Sequence, residues 1–466
     1  MTDEGAPRGG RRSRSRGGSA RKQARPRQRT AWRAPETVRI DDFSHDGRGV
    51  TRIDGKAVFV SRALPGELVR IARRPSDRRH DEAQLLEILE PSEQRIAPRC
   101  EYFETCGGCS LQHIAPAQQI EAKQRTLLES LARIGRVTPS QVLEPLTGEP
   151  WAYRRRARLG VRYVRAEDRV LIGFRERLKP DIADMRRCDV LAAPVGQLLD
   201  ALSGLIGGLS VRERIAQIEV AQGENATVLV LRNLSPLSDE DLSTLRAFER
   251  AHDVRLCLQP AQPDSIVDLD GAPPPELHYA LGAFDLTISF LPSDFVQING
   301  ALNAQLVERA VSLLALEGGE TVIDLFAGVG NFTLPLARRA AEVVAVEGDA
   351  ALVERLGQNA LRNGLEPKVQ AHLADLSADI TPFPWAKRTY DALLLDPSRA
   401  GADAVIPMVG RWKPRRICYI SCHPGTLARD AGMLVGELGY RLNATGVIDM
   451  FPHTGHVESM ALFERK

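Results

Sequence analysis

The residue that first invites a chemical interpretation is Cys422, at the end of the run Ile417–Pro424. Its β-branched residues predict a buried strand of an α/β sheet, and residues past the carboxyl end of such a strand lie where these sheets bind ligands. A cysteine there is either a small core residue or a nucleophile. Cys418, four residues earlier on the same predicted strand face, is interpreted as a core residue.

A second set of thiols lies in the segment C-E-Y-F-E-T-C-G-G-C-S-L-Q, residues 100–112. Cys100, Cys106 and Cys109 flank two glycines, which allow the backbone to fold closely around an ion or cluster. Cys188 is available as a fourth ligand. Zinc and an iron–sulfur cluster both take four thiolates, so the chemistry of the side chains does not choose between them. The odd total of seven cysteines favours the reducing cytoplasm over disulfide pairing.

A glycine turn follows another predicted strand. Gly328 and Gly330 could belong to a dinucleotide site, but Thr333 replaces the third glycine and Asp324 precedes the turn. A carboxylate would repel a pyrophosphate, whereas it would attract the sulfonium and amino groups of S-adenosylmethionine. This cofactor is therefore favoured over NAD. Glu347 ends the next strand, where it is placed to accept from ribose hydroxyl groups.

These residues require a sheet to bring them together. From residue 293 onward strands and helices alternate, which predicts a doubly wound, mainly parallel α/β sheet. Asp375 and Asp396 follow its third and fourth strands, so the predicted crevice collects them beside Cys422. Helices are predicted at 402–410 and 425–438, among others, and the helix N-terminus after Cys422 is expected to lower the pKa of its thiol.

The rest of the chain predicts three further regions. Residues 1–33 contain ten Arg and one Lys against two acids and form a basic arm, predicted to be disordered and to favour nucleic acid. Residues 34–92 contain five short strand candidates and indicate an OB-like β-barrel. Residues 93–292 form an α+β central domain, with a helix at 190–206 and a strand at 283–290, followed by the α/β domain at 293–466.

Arginines supply the charge of the predicted RNA-binding surfaces. On the barrel they are Arg70, Arg73, Arg74, Arg78 and Arg79. In the segment Trp151–Arg158 they alternate with aromatic residues, which suits base stacking with phosphate contact, although a solvated strand edge is equally compatible. No membrane-spanning segment or secretory leader is expected, and a cytoplasmic protein is predicted.

Five ordered motifs together resemble the RNA uracil-5 methyltransferases. They are D-F-V-Q-I-N (294–299), D-L-F-A-G-V-G-N-F (324–332), L-L-L-D-P-S-R-A-G (393–401), Y-I-S-C-H-P (419–424) and F-P-H-T-G-H-V-E-S-M (451–460). The cysteine loop and the barrel resemble the [4Fe–4S] loop and TRAM domain of the 23S ribosomal RNA branch. The resemblance implies a Rossmann-like S-adenosylmethionine-dependent methyltransferase domain behind a TRAM barrel and an α+β central domain.

The resemblance also implies residue roles. Cys422 is the nucleophile and Glu458 the base. Cofactor contacts fall on Gln297, Phe326, Asn331, Glu347, Asp375 and Asp396, and the cluster ligands are Cys100, Cys106, Cys109 and Cys188. Two positions depart from the family pattern, His423 in place of Asn and Ser398 in place of Pro or Ala. His453 and His456 flank the site and are interpreted as structural histidines.

The implied reaction is methylation of carbon 5 of one uridine of 23S ribosomal RNA, at the uracil-1939 site, through a covalent bond between Cys422 and carbon 6. No obligate protein partner is evident. The alternatives are another 23S or transfer RNA uridine, an NAD oxidoreductase and a non-catalytic iron–sulfur RNA-binding protein.

Overall fold

The computed structural model describes residues 32–44, 46–76, 79–177 and 179–466. The predicted basic arm lies outside these residues except for Trp32 and Arg33, and so does Arg78. Within the described ranges no helix combines the length and the apolar character needed to cross a bilayer.

The first sheet curls around its own small core. Its strands are β1 (Glu36–Arg39), β2 (Asp42–Phe43), β3 (Arg48–Ile53), β4 (Lys56–Ser61), β5 (Leu68–Pro75) and β6 (His80–Glu90). The spatial order is β1-β5-β6-β4-β3-β2, and Val58, Val60, Val69 and Ile71 fill the interior. Asp54 and Gly55 both adopt positive φ, as a tight hairpin turn requires. The strands number six rather than the five predicted, because the short β2 was not predicted.

A helix and a short strand follow the cysteine loop. They are α1 (Pro116–Ser130) and β7 (Gln141–Val142). The apolar side of α1 buries Leu127, and Leu131 just beyond it is fully buried as well. Pro116 begins the helix at a position where its missing N–H costs nothing.

The second sheet carries two helices. Its order is β13-β12-β11-β10-β8-β9. The elements in chain order are β8 (Arg156–Val164), β9 (Arg169–Gly173), α2 (Leu199–Gly208), β10 (Ile215–Gln222), β11 (Thr227–Asn233), α3 (Asp239–His252), β12 (Arg255–Leu258) and β13 (Val267–Asp268).

Two predictions for this region are wrong in their bounds. The helix expected at 190–206 begins only at Leu199, because Pro194 interrupts the segment before it. The strand expected at 283–290 is the second arm of a hairpin, β14 (Leu277–Leu281) and β15 (Leu286–Phe290), whose first arm was not predicted. The hairpin packs on the third sheet through Leu277, Tyr279 and Ile288.

The third sheet has eight strands in the order β18-β17-β16-β19-β20-β22-β21-β7. Strands β16 to β20 run parallel, whereas β22 is antiparallel to both of its neighbours. The elements are α4 (Gly300–Leu314), β16 (Thr321–Leu325), α5 (Thr333–Arg339), β17 (Glu342–Glu347), α6 (Ala350–Arg362), β18 (Val369–Leu373), β19 (Ala392–Leu395), α7 (Val409–Trp412), β20 (Arg416–Ser421), α8 (Pro424–Gly436), β21 (Tyr440–Ile448) and β22 (Glu458–Arg465).

The strand order confirms the doubly wound α/β fold. It reverses direction between β16 and β19, and ligands of open α/β sheets bind at such a switch point. The helix predicted at 402–410 is mostly wrong. Only a short 3₁₀ turn, Ile406–Met408, and the single-turn α7 form there, since Pro407 cannot continue a hydrogen-bonded helix.

The segment around α1 belongs physically to the third sheet. Strand β7 pairs in parallel with β21, and Leu127, Leu131 and Val137 share a core with Ile417 and Leu427. The predicted central domain, 93–292, therefore contributes a helix and a strand to the third sheet and its packing. The domain boundaries themselves stay predictions.

Close backbone contact fixes this attachment. A Cβ atom on Gly135 would meet the carbonyl oxygen of Ala428, in α8, at 2.3 Å. We expect Gly135→Ala to lower the free energy of unfolding by about 1–3 kcal/mol, because backbone must shift to admit the methyl group. Urea denaturation measures the change. Gly148→Ala is the matched control, since nothing lies within 4 Å of its added Cβ. Equal stability of the two variants would show that the contact is not close.

Candidate active site and cysteine loop

Cys422 lies between the end of β20 and the start of α8. It is partly exposed in a cavity that three parts of the chain enclose. Asp46 comes from the first sheet, and Gly107, Gly108 and Ser110 come from the cysteine loop. The third sheet supplies the remaining lining residues, Arg399, His423, Pro424, Thr454, Gly455, His456 and Val457. Cys418, by contrast, is fully buried, as expected of a core residue.

His423 has a structural explanation. It occupies the N-cap of α8, where its Nδ1 accepts a hydrogen bond from the backbone N–H of Thr426 at 3.2 Å. Its own backbone N–H donates to Ser421 Oγ at 3.1 Å. Asn is a preferred N-cap residue because its side-chain oxygen accepts from the same donors. The imidazole thus performs the capping task that the usual Asn would perform.

The expectation of a lowered thiol pKa is wrong for the structure as it stands. Burial raises the pKa of Cys422 to about 11, and the negative charges of Glu458 and Asp396 raise it further, whereas Arg399 lowers it. The positive end of α8 does not outweigh these effects, because charge at a helix terminus is worth only about 0.3–1 kcal/mol at an exposed site. The free thiol is therefore protonated at neutral pH.

Glu458 begins β22 and is 9% exposed. Burial and the neighbouring Asp396 raise its pKa to about 8, while Arg399 and Lys123 act in the opposite direction. A carboxyl group with this pKa can hold or release a proton near neutral pH, which suits a general acid or base.

Arg399 is a site residue that was not singled out from the sequence. Its Nη2 donates to Nδ1 of His456 at 2.9 Å, and its guanidinium lines the cavity with Cys422. The available signal was its position, three residues after Asp396 at the end of β19. It supplies positive charge to both the thiol and Glu458.

The side of the crevice at the switch point is acidic and buried. Asp324, in β16, is 1% exposed, and its Oδ2 accepts a 2.6 Å hydrogen bond from Thr333 Oγ1. Burial raises the pKa of Asp324 to about 7, and the charges of Asp396 and Glu347 add to this rise. Thr333 stands where a dinucleotide-binding motif would have its third glycine. Its hydroxyl group holds Asp324, the acid that argues against a dinucleotide at this site.

Glu347 holds the glycine turn rather than pointing freely into the crevice. Its Oε2 accepts from the backbone N–H of Gly328 at 2.9 Å, and its Oε1 accepts from Gly348 N–H at 2.7 Å. Gly328 and Gly330 both adopt positive φ, which glycine tolerates. The role of Glu347 toward a ribose stays a prediction.

The other predicted cofactor residues surround the same strand ends. Phe326 follows β16 with a φ of 66°, and Asn331 exchanges amide hydrogen bonds with Asn303 while accepting from Tyr279 OH. Asp375 is exposed and accepts from Ser377. Gln297 is partly exposed. Asp396 keeps an accessible edge although burial raises its pKa to about 7.

The four cysteines of the predicted cluster line one enclosed space. Phe103, Phe174 and Met185 form its apolar walls. Burial raises the pKa of each thiol, to about 12 for Cys109 and about 11 for Cys188. In the described part of the chain, however, no three His, Cys, Asp or Glu side chains converge on a position for a single metal ion. The thiols surround a common space without meeting at one point.

The glycines of the cysteine loop allow close packing. A Cβ on Gly107 would meet the carbonyl oxygen of Arg175 at 2.9 Å, and one on Gly108 would meet Phe174 at 3.2 Å. Both glycines also line the cavity of Cys422. The same turn thus has one side toward the four cysteines and another toward Cys422.

Hydrogen bonds join the cysteine loop to the segment that precedes Glu458. The backbone N–H groups of Ser110 and Leu111 donate to the carbonyl oxygen of His453, at 2.8 and 2.9 Å. Gly455 N–H donates to Ser110 Oγ at 3.0 Å. This segment, residues 449–457, is called the catalytic loop below.

The aromatic residues of Trp151–Arg158 stabilise the catalytic loop. The ring of Trp151 lies against that of His453, with 4.1 Å between the ring centroids, and Arg99 lies over its indole. Tyr153 OH donates to the carbonyl oxygen of Pro452. His453 is 3% exposed, which agrees with a structural histidine. The structure therefore favours a structural role for Trp151 and Tyr153 over stacking on RNA bases.

The arginines of the same segment also have protein partners. Arg156 donates to the carbonyl oxygen of Pro292, and Arg158 pairs with Glu219. Arg154 lines the enclosure of the cysteines.

Comparison with known proteins places the geometry in a family. A sequence model described as tRNA (Uracil-5-)-methyltransferase matches residues 117–466. The chain belongs to this family. The expected uracil-5 methyltransferase resemblance is thereby confirmed, and the chain is an S-adenosylmethionine-dependent methyltransferase.

Relatives of high identity span nearly the whole chain. A protein of Alkalilimnicola ehrlichii named 23S rRNA (uracil(1939)-C(5))-methyltransferase RlmD is 49% identical, over 94% of this chain and 99% of its own length. The protein of the same name from Stenotrophomonas maltophilia strain K279a is 47% identical, over 93% and 98%.

A solved structure shares the fold. It is the Pyrococcus abyssi tRNA (uracil-54, C5)-methyltransferase in complex with S-adenosyl-L-homocysteine, with a TM-score of 0.70 and 23% identity. The match covers 92% of this chain and 100% of that one.

The charges around Cys422 predict opposite effects of two substitutions. Arg399→Met should slow alkylation of the Cys422 thiol by iodoacetamide at pH 8, because loss of the cation raises the thiol pKa. Glu458→Gln should accelerate it, since loss of the anion lowers that pKa. We expect each change to be about threefold or more, as a shift of half a pKa unit produces. Peptide mass spectrometry measures the rate, and Arg411→Met, on α7, is the control. Alkylation that slows in the Glu458 variant would contradict this electrostatic account.

Proposed function

We propose that this protein transfers a methyl group from S-adenosylmethionine to carbon 5 of a uridine in 23S ribosomal RNA, at the uracil-1939 site for which its relatives are named. The observation that carries the proposal is the enclosure of Cys422 and Arg399 in one cavity with Glu458 beside them. A thiol, a cation and a carboxyl group of near-neutral pKa are the three groups that methylation at an unreactive ring carbon needs.

Carbon 5 of uracil is a poor nucleophile until carbon 6 is attacked. The Cys422 thiol gives its proton to water, the resulting thiolate adds to carbon 6, and the π electrons of the ring move to the O4 enolate. Carbon 5 then attacks the methyl carbon of the sulfonium, and the C–S bond pair returns to sulfur. Glu458 takes the carbon 5 proton, the ring double bond re-forms, and the thiolate leaves as the bond to carbon 6 breaks. Each bond that forms is thus matched by one that breaks.

The acidic crevice supports a cationic cofactor. Asp324 is buried, and Asp396 lies near it with one accessible edge. A positive charge would relieve the repulsion between the two carboxylates, whereas a phosphate would add to it. Bound S-adenosylmethionine supplies the methyl group and a sulfonium charge. The residues proposed to contact it are Gln297, Phe326, Asn331, Glu347, Asp375 and Asp396.

Activation of the thiol then belongs to the assembled complex. In the free protein the Cys422 thiol has a pKa of about 11, so a thiolate needs more positive charge than Arg399 alone provides. A cation bound beside Asp396 opposes one of the two charges that raise the thiol pKa. Nucleophilic attack is accordingly expected only when the cofactor is bound.

We further propose that Cys100, Cys106, Cys109 and Cys188 hold a [4Fe–4S] cluster. All four line one enclosure with apolar walls, which suits cubane clusters with one thiolate on each iron. The cluster would attach the loop between β6 and α1 to the second sheet.

The curled first sheet is proposed as a TRAM-like RNA-binding barrel, residues 34–92. Asp46 brings this sheet to the rim of the Cys422 cavity, so RNA on the barrel would lie beside the nucleophile. Arg70 and Arg74 pair with Glu87 and Glu82 across the surface, whereas Arg73 is buried. In the exposed pairs, the arginine could release its carboxylate partner and bind an RNA phosphate instead.

Methyl transfer to defined RNA tests the proposed reaction. Wild-type protein with labelled S-adenosylmethionine should methylate unmodified 23S ribosomal RNA but not unmodified transfer RNA, and nucleoside analysis should give 5-methyluridine. Cys422→Ala should reduce turnover by at least about 10⁴-fold, because the ring then has no activating nucleophile. Cys257→Ala, in the core of the second sheet, is the control. Methylation of transfer RNA alone would overturn the proposed substrate, and an active Cys422→Ala variant would overturn the mechanism.

The cluster has a separate test. Anaerobic reconstitution should give protein that carries iron and acid-labile sulfide in equal amounts with a broad visible absorption. Cys188→Ala should lose this absorption, whereas Cys257→Ala should keep it. Release of protons on reconstitution is also expected, because the buried thiols are protonated beforehand and must ionise to bind. Stoichiometric zinc without sulfide in the purified protein would contradict the cluster.

A further inference from the structure

Helix α1 inserts a charged side chain beneath the catalytic loop. Lys123 is 3% exposed, and its Nζ donates to Asp449 Oδ1 at 2.6 Å and to the carbonyl oxygen of Phe451 at 3.0 Å. Asp449 is 7% exposed and directly follows β21. The pair therefore fixes the start of the loop whose other end is Glu458.

A second residue on the same helix face extends this support. Gln119 lies one turn before Lys123, and its Oε1 accepts from the backbone N–H of His453 at 3.0 Å. Its Nε2 donates to the carbonyl oxygens of Leu111 and Ile114, at 3.0 and 2.8 Å. Thus α1 holds the catalytic loop at three positions and ties it to the end of the cysteine loop.

Stability alone gives a weak reason for this buried charge. Two ions removed from water lose solvation that their attraction often fails to recover, and apolar residues of similar volume often fold as well or better. A buried Lys–Asp pair is better explained when the charge acts on something else. Glu458 is that group, since Lys123 interacts electrostatically with it.

The charged and titratable groups around the two residues are few. Glu458 faces Asp396 and Arg399 from the segment after β19, Cys422 from the end of β20, and Lys123 from α1. Lys123 faces Asp449 and Glu458. Its charge also lowers the pKa of His453 and of His456, both in the catalytic loop. Of the two cations acting on Glu458, Arg399 lines the substrate cavity, whereas Lys123 is buried behind the catalytic loop.

We propose that Lys123, paired with Asp449, is a positioning residue that places Glu458 and acts on it with its positive charge for removal of the carbon 5 proton. This inference rests on the proposed function, in which Glu458 is the base. Lys123 does not reach the substrate cavity and acts through the catalytic loop and through its charge. The helix that follows the cysteine loop thereby serves the last step of the reaction.

The sign of the effect follows from the charge. Lys123 lowers the pKa of Glu458, so its neutralisation raises that pKa and leaves the base protonated up to a higher pH. The acidic limb of the kcat profile should therefore move to higher pH. Thiol addition and methyl transfer precede proton removal, so they should persist.

The test uses a charge-free pair of similar volume. Lys123→Met combined with Asp449→Leu removes both charges without leaving either one unpaired. We expect kcat at pH 7 to fall by at least about threefold and the pKa of the acidic limb of its pH profile to rise by about half a unit or more. The KM for S-adenosylmethionine should stay near the wild-type value. Arg125→Met is the matched control, since Arg125 forms an exposed ion pair with Glu121 on the same helix.

Substituted RNA separates the steps. With 5-fluorouridine at the target position, the ring cannot lose a proton from carbon 5, so the methylated covalent complex accumulates. The Met/Leu variant should form this complex as wild type does, because only the later step depends on Lys123. Failure to form it would overturn the proposal, since the pair would then support nucleophilic addition.

A second variant guards against loss of folding. Lys123→Gln with Asp449→Asn keeps hydrogen bonding but removes both charges, so it should show the same shift of the acidic limb with a higher kcat on the alkaline plateau. Wild-type pH profiles in both variants would overturn the inference and leave the proposed function intact. Absence of methylation by wild-type protein would instead refute the proposed function, and it is seen before any variant is measured.

Discussion

The constraint on which the site depends is the crowding of carboxyl groups at the ends of β16 and β19 and at the start of β22. Asp324, Asp396 and Glu458 each hold a proton more tightly than an exposed carboxyl group, because each is buried and Asp396 repels the other two. Burial and nearby negative charge also raise the pKa of the Cys422 thiol. A crevice built in this way favours a cationic ligand. Without such a ligand the Cys422 thiol stays protonated at neutral pH. Its reactivity is set by the few positive charges that reach it.

The surrounding structure holds those groups in place. Thr333 fixes Asp324, Glu347 closes the glycine turn, and His423 caps α8 directly after Cys422. The catalytic loop receives support from α1 and the cysteine loop, both far away in the chain. A change in the cysteine loop would therefore reach Glu458 through hydrogen bonds rather than through the methyltransferase core. This connection links the cysteine loop structurally to the segment that carries Glu458.

The sequence predicted the parts of the site that local pattern determines. Apolar runs located β16, β17, β19 and β20, and parallel strands necessarily bring the residues at their ends together. Three-dimensional packing decided what the pattern could not. The thiol pKa depends on burial and on Glu458, which is 36 residues away in the chain. The first arm of the hairpin at Leu277–Leu281 lies in a Pro-rich context that is typical of loops, and Lys123 looks like an ordinary helix-surface lysine until β21 is seen beside it.

The most direct test of the account is the covalent complex of the wild-type protein. Incubation with S-adenosylmethionine and a 23S ribosomal RNA fragment that carries 5-fluorouridine at the target position should give one protein–RNA adduct. After nuclease and protease digestion, mass spectrometry should locate a methylated fluorouridine on the peptide that contains Cys422. An adduct on another residue, or methyl transfer to unsubstituted RNA with no adduct on the substituted RNA, would contradict the assignment of Cys422 as the nucleophile.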